Sequence, residues 1–280
     1  MRDTLMHGFF RNVPVIRFGK KRYRALFLSD LHLGTRAAKT HALVEFLRTH
    51  DAETIYLVGD IIDFWRLKRG VIWPGGNDEI LQILLERMHS GTRIVYVPGN
   101  HDEALRAYCG MTFSGIEITR DCVHTTANGR KLFVLHGDEF DVVVRYAKWL
   151  RFLGDRSYEF VLWCDGPLNW ARRKLGFGHW SLSVYVKTRV KAAAAFIDEF
   201  ETALAAEAKR RGYDGVVCGH IHHPADRLID GVRYLNCGDW TENCTAIAEH
   251  ADGQIEILRW LHVDRESEPA AVREPMLKAA

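Results

Sequence analysis

Five short strings in this 280-residue chain combine residues able to hold a metal: Asp30-Leu31-His32, Asp60-Ile61-Ile62-Asp63, Gly99-Asn100-His101-Asp102, Leu135-His136-Gly137-Asp138 and Gly219-His220-Ile221-His222. Asp30, Asp60 and Asn100 offer oxygen; His32, His136, His220 and His222 offer imidazole nitrogen. With no thiolate among them, such a set suits two divalent ions of intermediate hardness, such as Mn²⁺, Fe²⁺ or Zn²⁺. One carboxylate, best Asp60, can bridge the ions and hold them roughly 3.5–4 Å apart. Cations this close acidify a shared water from a pKa of ~15.7 towards ~7 and give a hydroxide nucleophile at neutral pH. They also neutralise the charge on a transferring phosphoryl group. Asp30 and His32, two apart on a segment that reads as extended, are expected to point to one side.

The pattern is specific. With 23 Gly and 14 His, a Gly-His-x-His string occurs by chance about 0.06 times in such a chain, so alone it decides little. Gly-Asn-His-Asp is expected about 0.002 times, and here each string also follows an apolar run. Asp63 reads as an acceptor that holds a neighbouring ligand. Arg36, Trp65, Asn236 and Trp240 are candidates for the pocket lining. Histidines outside the strings, such as His41 and His124, read as structural.

The elements that must position these groups follow from periodicity. Ala25–Ser29, Thr54–Val58, Arg93–Val97, Lys131–Leu135 and Gly215–Cys218 are apolar runs of strand length. Helical spacing marks 39–50, and also 78–90, which opens at Asp78 as an expected cap. An alanine-rich helix ends at Gly212. Two successive β-α-β units predict parallel strands covered by helices. The loops at the carboxyl ends of such strands converge on one crevice. Asp230-Gly231 and Asp252-Gly253 predict antiparallel hairpins.

In this order the strings resemble the calcineurin-like metallophosphoesterase superfamily. The resemblance runs from about Asp30 to Asp239. It implies an α/β fold, a two-sheet α-β-β-α sandwich, with a dinuclear metal centre. Asp30, His32 and His222 would bind one ion, Asn100, His136 and His220 the other, with Asp60 between them. His101 would protonate the leaving oxygen or stabilise the transition state, and Asp102 would orient it. Within the superfamily, 29–34, 59–65 and 99–103 resemble the subgroup of bacterial UDP-2,3-diacylglucosamine diphosphatases and their close relatives, enzymes of lipid A biosynthesis. That subgroup implies an acylated nucleotide-sugar substrate, manganese and a helical lid insertion. Its best-characterised branch carries arginine where this chain has His101.

The insertion, expected at 139–211, is basic and aromatic. Residues 142–192 hold ten Lys or Arg against three acids, and ten aromatics. Such a surface suits anionic lipid headgroups or an acyl chain with a diphosphate. The alternatives are a groove for single-stranded nucleic acid, as a phosphodiesterase or nuclease requires and not the partner expected here, or aromatics packed onto the core. Arg36, Trp180, Lys187 and Asp138 are the candidate substrate contacts.

The remaining composition sets bounds. The expected organisation is an arm over 1–23, a phosphoesterase domain over 24–262 that includes the insertion, and a tail over 263–280. A net charge of +2 excludes a globally polyanion-binding protein. The longest uncharged stretch, Leu175–Val186, falls short of the roughly 20 residues of a membrane span. No secretory pattern opens the chain, and six cysteines form no Cys-x-x-Cys pair. A reduced, cytoplasmic protein is expected, in peripheral contact with membrane lipid at most.

Overall fold

The computed structural model describes residues 21–70, 73, 75–140 and 182–260. Successive side chains of a strand point to opposite faces, and in the three central strands both faces are apolar. These are β1 (Lys21–Leu28), β2 (His50–Val58) and β3 (Arg93–Val97). Ala25, Phe27, Tyr56, Val58, Val95 and Val97 bury against a second sheet. Leu26, Leu28, Ile55, Leu57, Ile94 and Tyr96 bury among helices on the other side. Burial on both faces is why these strands read as continuous apolar runs. Each fully buried large apolar side chain contributes about 1.5–3 kcal/mol.

The first sheet also contains β4 (Thr112–Phe113), β5 (Ile116–Ile118), β11 (Thr245–Glu249) and β12 (Ile255–Arg259), in the order β12-β11-β1-β2-β3-β5-β4. The second holds β6 (Cys122–Thr125), β7 (Lys131–Val134), β8 (Gly215–Cys218), β9 (Ala225–Ile229) and β10 (Val232–Asn236), in the order β6-β7-β8-β10-β9. The pairings of β1 with β2, β2 with β3, β7 with β8 and β8 with β10 are parallel. The β9-β10 hairpin turns at Asp230-Gly231, both at positive φ, as the sequence predicts.

Helices close both outer faces. Leu43, Phe46 and Leu47 of α1 (Thr40–Thr49) pack with Ile80 and Leu84 of a later helix, Asn77–His89, over the first sheet. The four-residue α2 (Phe64–Leu67) lies between them in sequence, and Asn77–His89 is therefore α3. On the second sheet, Phe200, Leu204, Ala205 and Ala208 of α4 (Leu182–Arg210) pack on Phe133, Val216 and Tyr234. The result is the expected α-β-β-α sandwich. This stretch of α4 lies within 139–211, so part of the span read as insertion is a structural layer of the sandwich. Trp180 and most of 142–192 lie outside the described residues.

One cap differs from expectation. The residue preceding α3 is Gly76 at φ 96°, and Asp78 sits inside the first turn. There it accepts a 2.6 Å hydrogen bond from Trp73 Nε1 and complements the helix dipole.

Candidate metal centre

The loops after β1, β2, β3, β7 and β8 gather at the common carboxyl edge of the two sheets. Backbone hydrogen bonds stitch them laterally: Asp30 N donates to Gly59 O (3.0 Å), His32 N to Asp60 O (2.9 Å) and Gly219 N to His136 O (3.1 Å). Among the described residues eight non-glycine residues have positive φ, and five are Asp30, His32, Asp60, His220 and His222. Left-handed backbone costs of order 1–3 kcal/mol at such residues and persists where the surroundings impose it. Asp30 and His32 are therefore not an extended pair. They converge because both turn through the left-handed region (φ 54° and 47°), not by strand alternation.

Two sets of ligand atoms result. Asp30 Oδ1 lies 2.9 Å from His222 Nε2 and 3.7 Å from His32 Nε2, and the two imidazole nitrogens are 3.3 Å apart. Donor atoms on one cation at ~2.1 Å are separated by roughly 3.0–3.4 Å, which two sides of this triangle approach and the 3.7 Å side exceeds by a few tenths of an ångström. The second set is Asp60, His136 and His220, with Asp60 Oδ1 3.4 Å from His136 Nε2. Asp60 also lies in a set with His32 and His101, its Oδ2 3.8 Å from each ring's Nε2. Asn100 lies in the loop after β3, between Gly99 and His101, with its Oδ1 buried.

Asp30 Oδ1, Asp60 Oδ2, Asn100 Oδ1 and His136 Nε2 are buried without a hydrogen-bond partner among the described residues. Their companion atoms are engaged. Asp30 Oδ2 takes the His220 N–H (2.8 Å) and the Ser29 hydroxyl; Asp60 Oδ1 takes the His101 N–H (2.8 Å). His136 Nδ1 donates to Val58 O at 3.0 Å, leaving Nε2 as the lone-pair nitrogen of the neutral ring. Buried acceptors aimed at one another are costly unless a cation joins them.

Electrostatics point the same way. Burial disfavours the charged ring of His32, yet Asp30, Asp63 and Asp60 outweigh it and raise its pKa to about 9. At His136 burial is likewise overcome, by Asp60 and Asp30, and the pKa rises to about 10. Burial would push Asp30 and Asp60 upward, but the imidazoles around them hold both well below the usual carboxylate range. Both raised histidines are protonated at neutral pH, whereas metal ligation needs them neutral. Manganese titrated calorimetrically near pH 7.5 is expected to release one or more protons per chain, and to bind more tightly as pH rises from about 6 to 9. Heats independent of the buffer's ionisation enthalpy would contradict this.

The family follows from a comparison across the chain. The profile of the calcineurin-like phosphoesterases matches residues 23–224. The chain belongs to this family. With membership comes metal-dependent hydrolysis of phosphoesters. The UDP-2,3-diacylglucosamine hydrolase of Pseudomonas paraeruginosa is 28% identical over 81% of this chain and 95% of its own. That of Ralstonia nicotianae is 29% identical over 76% and 82%. The solved structure of an archaeal phosphodiesterase aligns over 84% of this chain and 98% of its own, at 14% identity and a TM-score of 0.39.

In this phosphoesterase the partner of His101 is not the neighbouring aspartate. Asp102, expected to orient the ring, turns inward and accepts from Gly99 N, Ile61 N (2.8 Å) and the Tyr96 hydroxyl (2.6 Å), locking the loop after β3. Asp63 Oδ2 lies 3.0 Å from His101 Nδ1 and 3.6 Å from His32 Nδ1. Its Oδ1 caps α2 by accepting from Arg66 N (2.8 Å). Trp65 covers the other face of His101, ring centroids 4.3 Å apart. Asp63→Asn keeps the cap but removes the charge. It is expected to lower kcat about 10–100-fold with metal content intact; unchanged steady-state kinetics would contradict the orienting role.

Two of the candidate ligands, His32 and His222, line a cleft of about 780 Å³ together with Asp63, His101 and also Arg36. A larger groove of about 1110 Å³ runs along α3 and holds none of these ligands. Other candidates are placed elsewhere. Both carboxylate oxygens of Asp138 accept from Arg106 at 2.7 Å, so it is a structural ion pair and not a free substrate contact. Asn236 is buried and bonds Gly219 O and Gly238 N, and Trp240 packs in the core on Phe46. Lys187 falls in α4, its side chain outside the described part.

Some supports carry no chemical signal in the sequence. A Cβ on Gly99 would fall 2.6 Å from His136 Nε2, and one on Gly59 would overlap the same ring. Asn243 Nδ2 donates to His222 O at 2.9 Å and also to Asp239, which caps the turn at 241–243. The glycines stand inside the recognised strings as spacing, and nothing marks Asn243 before the fold is known.

Proposed function

We propose that the chain hydrolyses the diphosphate of UDP-2,3-diacylglucosamine, or of a similar nucleotide-linked lipid, to UMP and an acylated sugar 1-phosphate. The carrying observation is the pair of adjacent ligand sets, Asp30, His32 and His222 beside Asp60, His136 and His220, with Asp60 reaching back toward His32 and with His32 and His222 lining the cleft. The relatives that bear this substrate in their names, matched over most of their length, supply the substrate class. Asp30, His32 and His222 would hold one divalent ion and Asn100, His136 and His220 the other. The mixed oxygen and imidazole set accepts Mn²⁺, Fe²⁺ or Zn²⁺, and the resemblance to the diacylglucosamine subgroup favours manganese. When bound, the ions supply Lewis-acid charge neutralisation and acidify water.

The protein's own groups do the rest. His101, held between Asp63 and Trp65 with Nε2 3.8 Å from Asp60 Oδ2, would give a proton to the leaving oxygen. Asp63 orients the ring and disperses its charge. In this reading residues 142–192 meet the acyl chains and the cytoplasmic membrane surface. UMP release from UDP-2,3-diacylglucosamine at saturating Mn²⁺ tests the proposal. Release that depends on metal supports it. No release, with hydrolysis of single-stranded nucleic acid instead, would replace it with the nuclease reading.

A further inference from the structure

The wall of the cleft beside the metal ligands carries three arginines: Arg36 from the loop after β1, Arg66 in α2 and Arg69 just beyond it. None of their guanidiniums has a hydrogen bond or ion pair among the described residues. Elsewhere Arg48, Arg93, Arg106, Arg120, Arg211 and Arg233 each hold a carboxylate. Of the acids lining the same cleft, Asp63 is engaged by His101 and by Arg66 N, and Glu242 is the other. Three exposed arginines lining one cleft offer forked cations that suit an oxyanion with several oxygens in a plane or tetrahedron.

The arginines and the ligand imidazoles His32 and His222 line one continuous cleft. An anion on the arginines and a phosphorus beside His32 and His222 would share this one cleft of about 780 Å³, as two phosphates of one molecule do. From this we infer that Arg36, Arg66 and Arg69 form a second anion subsite, which receives the phosphate adjacent to the one attacked. The chain then selects diphosphates over isolated phosphodiesters. This inference rests on the proposed diphosphate chemistry and assigns its specificity to named residues. The Asp63 cap of α2 ties the subsite to the chemistry: the short helix that presents Arg66 begins at the carboxylate that orients His101.

Calorimetric binding of UDP and UMP to the Mn²⁺-loaded full chain tests it. The wild type is expected to bind UDP about thirtyfold or more tightly than UMP, the effect of charge-assisted hydrogen bonds to the extra phosphate. R66A/R69A is expected to cut that preference below about fivefold, while UMP affinity changes less than about threefold and manganese content stays the same. Should the alanine pair lose manganese, R66Q/R69Q is read in its place against the same limits, since it keeps the stem and a hydrogen-bonding head. Equal affinity for UDP and UMP in the wild type, or a preference that survives the substitutions, overturns the subsite. Cleavage of UDP-2,3-diacylglucosamine is a separate readout. UDP preference without cleavage removes the proposed substrate and keeps the subsite; cleavage without the preference does the reverse.

Discussion

Asp60→Asn is expected to reduce bound manganese from two ions per chain to one or none, and to slow turnover by about a thousandfold or more. Asp60 is fully buried and lies between the two ligand sets, Oδ1 3.4 Å from His136 and Oδ2 3.8 Å from His32. Asparagine keeps the shape, and its carbonyl can still accept the His101 N–H. It loses the negative charge and turns one lone-pair atom into an N–H donor, so it cannot serve both sides. A lost cation removes several kcal/mol of transition-state stabilisation, and each 1.36 kcal/mol is tenfold in rate. Metal analysis beside kinetics checks the prediction. Two ions bound with near-normal turnover would show that Asp60 is not shared.

Substitution of His101 by alanine separates proton transfer from metal binding. The His101 backbone N–H, not its ring, bonds Asp60, and alanine retains that N–H. Both ions are therefore expected to stay, while turnover of the lipid-linked diphosphate falls about 10²–10⁴-fold, the usual worth of a positioned general acid. A p-nitrophenyl phosphodiester, whose leaving group needs no proton, is expected to lose much less. Equal losses on both substrates would remove the acid role, and loss of manganese would make His101 a ligand.

Much of this organisation was legible before folding. The central strands bury both faces, so β3 (Arg93–Val97) and β8 (Gly215–Cys218) coincide with the apolar runs read from sequence. The ligand strings follow those runs directly, and parallel strands carry their carboxyl ends to one edge. What local spacing cannot reveal is how a loop bends once it arrives there. Asp102 adjoins His101 in sequence but turns inward to satisfy Gly99 and Ile61 N–H groups, whereas the ring's partner, Asp63, arrives from another loop. Asp138 was equally beyond reach. It follows a ligand, yet Arg106, 32 residues earlier, takes both its oxygens. Left-handed backbone at His32 and His222 carries only histidine's weak preference for that region, and loops packing across two sheets impose it.

The most direct measurement is anomalous scattering from crystals grown with excess manganese. Two peaks are expected roughly 3.5–4 Å apart, one within Asp30, His32 and His222, the other within Asn100, His136 and His220, with the Asp60 carboxylate touching both. A solitary peak, or a pair seated away from these side chains, would contradict the two-ion centre.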